Sequence, residues 1–201
     1  MSLSTSTAER TLVTIPGGDT LKRVAWVAAL VTVGVVILAL SAQVRIPIPG
    51  SPVPITGQTM GVLLLAAAYG SWLGSGTVLA YLAVGAAGLP VFAGWKFGVA
   101  TLTGATGGYL LGFLIAAFIV GRLAESKWDR SPWLTIAAMV IANVVIYACG
   151  VLVLAQVPAI GWSKVLAAGV TPFLIGDAIK IALAAGILPG AWYLKERSRP
   201  R

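Results

Sequence analysis

Apolar residues run through this chain in long blocks, at roughly 24–43, 56–70, 72–88, 105–121, 133–155 and 171–194, and polar residues collect between them. A helix needs about 20 apolar residues to cross about 30 Å of hydrocarbon. The blocks therefore predict six membrane-spanning helices, the second and third joined by a turn near Gly70 and Ser71. Several blocks fall short of a full span, which predicts tilt, mutual burial or re-entry. The expectation is an all-α integral membrane protein, a six-transmembrane-helix bundle. Residues 1–21 read as a flexible N-terminal tail carrying Pro16, Gly17 and Gly18, residues 22–196 as the transmembrane domain, and 197–201 as a basic tail. The small residues Ala39, Ser41 and Ala42 suggest a cleavage site, but the apolar run before them is longer than the usual signal core. The first block reads as an uncleaved helix.

Composition agrees with the pattern. Of 201 residues, 58 % are hydrophobic and 10 % charged, where a soluble domain carries about 25 % charged residues. That leaves too little polar surface to cover a water-soluble globule. There is no histidine and one cysteine, Cys149, set in an apolar run. Intrachain disulfides, Cys/His zinc sites and Ser-His-Asp catalysis are all excluded. With five of the six acidic residues outside the blocks, an enzyme is not expected, and Cys149 reads as a small packing residue.

The net charge is +8, yet the cations form no aromatic-interleaved patch, and nucleic acid is not an expected partner. Topology accounts for them better. With six spans, Arg10, Lys22, Arg23, Arg122, Lys127, Arg130, Lys195, Arg197, Arg199 and Arg201 fall on one side, and Arg45, Lys96 and Lys164 on the other. This bias places both termini in the cytoplasm. Three longer connections then face outward, at about 45–55, 89–104 and 156–170. The first packs Pro47, Pro49, Pro52 and Pro54 into a stiff extended segment. It is either a connector on the bilayer surface or a cover over a cavity.

Asp177 and Lys180 interrupt the last block three residues apart, on one helix face. Ionisable groups in hydrocarbon cost at least a few kcal/mol and usually mark a site. The pair is either a structural ion pair or a polar hook for a small ligand, and the second reading is preferred. Counted from Thr171, Asp177 would lie about 9 Å deep. Asn143 and Tyr147 share a face of the fifth span, Gln58 opens the second, and Tyr109 opens the fourth. Phe92 and Trp95 occupy the loop before Tyr109. All fall at similar depth near the outer face, and such convergence suits a small-molecule pocket. For Tyr109 and Trp95 an interfacial aromatic belt is an equal alternative. Gly108, Gly112 and Ala116 form a small-residue ladder for internal packing, and Ala25 and Ala29 a weaker one. No phosphate-binding loop is present, so energy for uptake would come from another protein or an ion gradient.

Four segments carry a family signature: Val53-Pro54-Ile55-Thr56-Gly57-Gln58-Thr59, the run from Tyr81 to Gly94, the run from Gly104 to Phe113, and the run from Pro172 to Lys180. In this order they resemble the BioY family, the biotin-binding substrate-capture subunits (S components) of energy-coupling factor (ECF) transporters of prokaryotes. The resemblance implies a six-helix protein of the cell membrane that binds biotin from outside. Its implied partners are a transmembrane coupling protein and two ABC-type ATPases, which alone use ATP; no cofactor is implied. Asp177 and Lys180 fall on the family's Gly-Asp-x-x-Lys motif, and Ala25 and Ala29 on the motif that docks the coupling protein. Asn143, Tyr147, Gln58, Tyr109 and Trp95 would complete the substrate site. Three alternatives remain open: a self-sufficient carrier exchanging protons at Asp177 and Lys180, an S component for another vitamin, and a structural membrane protein without a ligand.

Overall fold

The computed structural model describes residues 11–198, so Arg10, Arg199 and Arg201 lie outside the described residues. Eight helices, two short strands and two 3-10 turns follow one another: α1 (Thr20–Gln43), β1 (Arg45–Ile46), β2 (Ile55–Thr56), α2 (Gln58–Tyr69), α3 (Ser71–Ala86), α4 (Val99–Thr103), α5 (Gly107–Glu125), the turn Trp128–Arg130, α6 (Pro132–Leu154), α7 (Gly161–Gly169), the turn Thr171–Phe173 and α8 (Leu174–Arg197). Four helical stretches, α1, α5, α6 and the one ending in α8, are long and apolar enough to cross a membrane. The apolar helices α2 and α3 are shorter, at 12 and 16 residues. At 1.5 Å per residue, α2 is about 18 Å long.

Local chemistry sets the helix ends. Asp19 caps α1 by accepting the Leu21 N–H at 3.1 Å. The break between α2 and α3 falls at Gly70, whose φ of +82° suits a residue without a side chain. Across from it, Glu125 Oε1 accepts both the Ser71 N–H and the Ser71 hydroxyl, each at 2.8 Å. A carboxylate there satisfies the free donors at the start of α3 and complements its dipole. Pro132 stands in the first turn of α6, where its missing N–H costs nothing.

Packing is tightest between α5 and α6. A Cβ built at Gly108 would lie 2.3 Å from the Cys149 carbonyl oxygen, and one at Gly112 2.9 Å from Ile146 Cα. The expected small-residue ladder thus draws these two backbones together. In contrast, α1 touches the bundle along one stripe, Gly34, Leu38 and Ala42, and leaves Leu21, Val24, Trp26, Val33, Val36 and Leu40 exposed. Ala25 and Ala29 are on its uncovered half.

Three regions expected to be plain connections have structure of their own. The proline segment is a narrow hairpin, with Arg45 opposite Thr56 and Ile46 opposite Ile55. The second connection contains α4, and the third contains α7, which buries Val165, Ala168 and Gly169 and exposes Trp162, Lys164 and Leu166. Nor do residues 11–13 hang free: Val13 N–H donates to Ala68 O at 3.0 Å, and Lys195 Nζ donates to Thr11 O and Leu12 O at 2.8 and 3.0 Å. A basic residue on the last turn of α8 supplied the donors that a polarity reading of the N-terminal segment does not weigh.

Candidate functional site

A cavity of about 180 Å³ opens at the end of the bundle where α2, α5 and α8 begin. The proline hairpin covers it, contributing Ile48, Pro52 and Val53, so the segment is a cover and not a bare connector. Phe92, Ala93 and Lys96 from the turn after α3 line it, as do Thr101 of α4, Tyr109, Leu110 and Phe113 of α5, Ile146 and Tyr147 of α6, and Phe173. Asp177 and Lys180 of α8 complete the wall.

The polar core of the site is compact. Lys180 Nζ is 2.8 Å from Asp177 Oδ1, while the Tyr147 hydroxyl donates to Asp177 Oδ2. Asp177 is buried and stands in the first turn of α8, where free N–H groups and the helix dipole favour a carboxylate. Residues 171–173 form a 3-10 turn before α8 begins, so Asp177 falls in the first turn of that helix. Each carboxylate oxygen retains accepting capacity, and two of the three Lys180 N–H groups are not spent on Asp177. The two residues form an ion pair, and both line the cavity.

On the opposite helices, Gln58 is buried and donates through Nε2 to Tyr81 Oη at 2.7 Å. Tyr81 in turn donates to Val91 O at 3.0 Å and meets Phe92 edge-on, with ring centroids 5.4 Å apart. Gln58 keeps one N–H and a carbonyl oxygen for other partners, with Thr56 Oγ1 at 3.4 Å from Oε1. Tyr109 spends its hydroxyl hydrogen on Gly169 O at 2.7 Å, so it presents its ring and ties α5 to the end of α7. The Tyr109 and Tyr147 rings flank Phe173 at centroid distances of 6.2 and 6.5 Å. Together they give an aromatic wall beside a charged hook, an arrangement suited to an uncharged polar ring that accepts and donates hydrogen bonds.

Five of the seven residues expected to contact substrate line this cavity: Asp177, Lys180, Tyr147, Gln58 and Tyr109. Asn143 does not. It is buried one turn before Tyr147 and donates to Met139 O at 2.9 Å, and it lines a much smaller adjoining cavity together with Lys180 and Thr59. Its Oδ1 has no hydrogen-bond partner among the described residues. Trp95 is also outside the lining: it is 61 % exposed, at φ +60°, on the outer side of the turn. Phe92 fills the inner position instead, because Gly85 leaves a notch for its ring; a Cβ at Gly85 would lie 2.2 Å from Phe92 Cζ.

Two residues that anchor the cover carry little signal in the sequence. Gln43, the last residue of α1, donates to Phe92 O at 3.2 Å and accepts the Trp95 N–H at 3.2 Å, pinning the 92–96 turn to α1. Ser51 donates to Ala168 O at 2.7 Å, latching the proline hairpin to α7. A lone polar residue at a span end looks like any interfacial residue until its distant partner is known.

Residues 11–197 match the BioY family. The biotin transporter BioY of Thermotoga maritima is 40 % identical over 156 residues, covering 78 % of this chain and 90 % of that protein. The BioY of Rhizobium etli is 36 % identical over 157 residues, covering 75 % and 83 % respectively. The crystal structure of an S component for biotin from an ECF-type ABC transporter superposes with a TM-score of 0.76 at 25 % identity, covering 91 % of this chain and 96 % of that one.

Proposed function

This chain belongs to the BioY family, and from that premise we propose that it captures biotin in the cavity beneath the proline hairpin and serves as the substrate-binding subunit of an ECF-type transporter. The observation that carries the reading is the Asp177–Lys180–Tyr147 cluster opening on an otherwise apolar and aromatic cavity. Biotin's bicyclic urea needs acceptors for two N–H groups and a donor for its carbonyl. Asp177 and Gln58 supply acceptors, Lys180 a charge-assisted donor, and Phe173, Tyr109 and Phe92 the apolar surface for the sulfur ring and chain.

In this reading six segments cross the cell membrane, with α2 and α3 completing the four longer spans and both termini in the cytoplasm. The cavity then faces outward. The exposed Ala25 and Ala29 on the uncovered half of α1 dock a transmembrane coupling protein, and two ABC-type ATPases bound to that partner supply the energy. Weak burial of α1 supports this, since a helix held by one stripe keeps a face for a second membrane protein.

Titration calorimetry of the detergent-solubilised protein with biotin tests the binding step. The wild-type chain is expected to bind, and Asp177→Asn and Lys180→Ala to lose binding while remaining folded. Wild-type affinity in both variants would remove the cluster from the site.

A further inference from the structure

The charged residues lining the cavity are Arg45, Lys96, Asp177 and Lys180. Lys180 is paired with Asp177, whereas neither Arg45 nor Lys96 forms an ion pair with a described carboxylate. The cavity thus carries two uncompensated positive charges. Both are exposed, while Asp177 and Gln58 are buried, so the cations sit at the mouth and the urea-binding groups further in. These two are also singled out by topology. Most cations among the described residues belong to the other end of the bundle; of the three at this end besides Lys180, namely Arg45, Lys96 and Lys164, only Lys164 is away from the cavity.

Their placement is built. The Arg45 guanidinium lies against the turn at Gly94: a Cβ there would be 2.9 Å from Nη1 and 3.0 Å from Cζ, and Gly94 has φ +74°. Lys96 is two residues further on, across a turn closed by the Phe92 N–H donating to Lys96 O at 3.0 Å. Gln43 fastens that same turn to the end of α1, immediately before Arg45. Two like charges are therefore held on one rim of the cavity by three separate contacts, an arrangement complementary to an anion.

We propose that Arg45 and Lys96 form an anion pole that takes the terminal carboxylate of the ligand and selects for ligands whose carboxylate is free. The inference rests on the biotin reading and adds a second pole to it: the urea end lies against Asp177 and Lys180, and the chain runs outward to the rim. Guanidinium and ammonium donors to a carboxylate make charge-assisted bonds, while a neutral amide in the same place leaves both cations uncompensated. Gly94 is part of the pole, since any side chain there displaces the guanidinium.

Calorimetric titration with biotin and with biotinamide, its neutral carboxamide, tests this. The wild-type chain is expected to prefer biotin by about tenfold or more, as for a charged hydrogen bond, and the preference is expected to shrink as sodium chloride is raised. Arg45→Met and Lys96→Met should each reduce the ratio of the two affinities, and Arg45→Lys should keep most of it. Thermal unfolding of each variant separates a lost fold from a lost preference, and Lys96→Met stands independently of Arg45→Met. Equal affinity of the wild-type chain for the two compounds, or a ratio unchanged in folded Arg45→Met and Lys96→Met, would overturn the anion pole and leave the biotin site standing. A folded wild-type chain that binds neither compound would overturn both.

Discussion

Asp177 owes its place to a sum of small effects, none sufficient alone. It accepts from Lys180 on its own helix and from Tyr147 on α6, and it stands in the first turn of α8. Two side-chain donors do not exhaust this carboxylate, because its oxygens offer about four acceptor positions. Tyr147 is the partner that joins two helices at the site. Tyr147→Phe removes the hydroxyl and keeps the ring beside Phe173, so biotin affinity should fall about tenfold, the worth of one hydrogen bond to a charged group. The melting temperature should change little. Calorimetry on the purified variant measures the first and thermal unfolding the second; unchanged affinity would leave the hydroxyl a structural role alone.

At the scale of elements, the helices fall into two kinds. The α5–α6 pair forms a close-packed frame, with Tyr109, Ile146 and Tyr147 at its cavity end and glycines where the backbones meet. Its rigidity positions the aromatic wall. Gly108→Ala places a methyl group against the Cys149 carbonyl and should cost about 1–3 kcal/mol, as overpacking does. Gly186→Ala on α8 meets nothing within 4 Å and should be neutral or slightly stabilising, since alanine is the better helix former. Thermal unfolding of the two variants side by side checks the contrast; equal melting temperatures would mean that the α5–α6 contact yields readily. The second kind are the covering elements, the proline hairpin, α4 and α7. They are tied to the frame and to one another by single hydrogen bonds such as Ser51 to Ala168 and Tyr109 to Gly169.

The whole molecule is fastened at the end away from the cavity. Trp192 of α8 donates to Asp129 in the turn between α5 and α6, and its ring is faced by Arg130 at 3.9 Å and Lys195 at 4.9 Å. Lys195 also holds residues 11 and 12, so one cluster joins the N-terminal segment, α8 and the α5–α6 turn. Burial pushes the Asp129 carboxyl above its usual range, and the Trp192 N–H, Arg130 and Lys195 bring it part of the way back. A carboxyl whose folded pKa is raised holds its proton more tightly in the folded state. Its contribution is therefore fully present below the unfolded value of 3.8 and is lost as pH rises through the folded value. Asp129→Asn keeps an acceptor for Trp192 and cannot ionise, so it should flatten that part of the stability profile. Melting temperatures of both proteins across mildly acid pH check it; parallel profiles would show that Asp129 does not titrate in that window.

Sequence alone determined the features that follow from composition and local spacing. Long apolar blocks fix helices wherever enough residues run without a charge, Gly70 fixes the break between α2 and α3, and the i, i+3 spacing of Asp177 and Lys180 puts them on one face. The family signature was likewise legible, because its four segments are contiguous strings. Tertiary structure decided what depends on partners far apart in the chain. Trp95 and Phe92 are equally apolar, and only the notch at Gly85 selects Phe92 for the cavity. Asn143 shares a face with Tyr147, yet one helical turn of depth puts it against Met139 and a separate small cavity. Arg45 and Lys96 read as ordinary outer charges until Gln43 and Gly94 bring their loops to one rim. Periodicity records which residues share a helix face; which of them meet across helices and loops is settled by backbone approach, and that depends on the packing of the entire bundle.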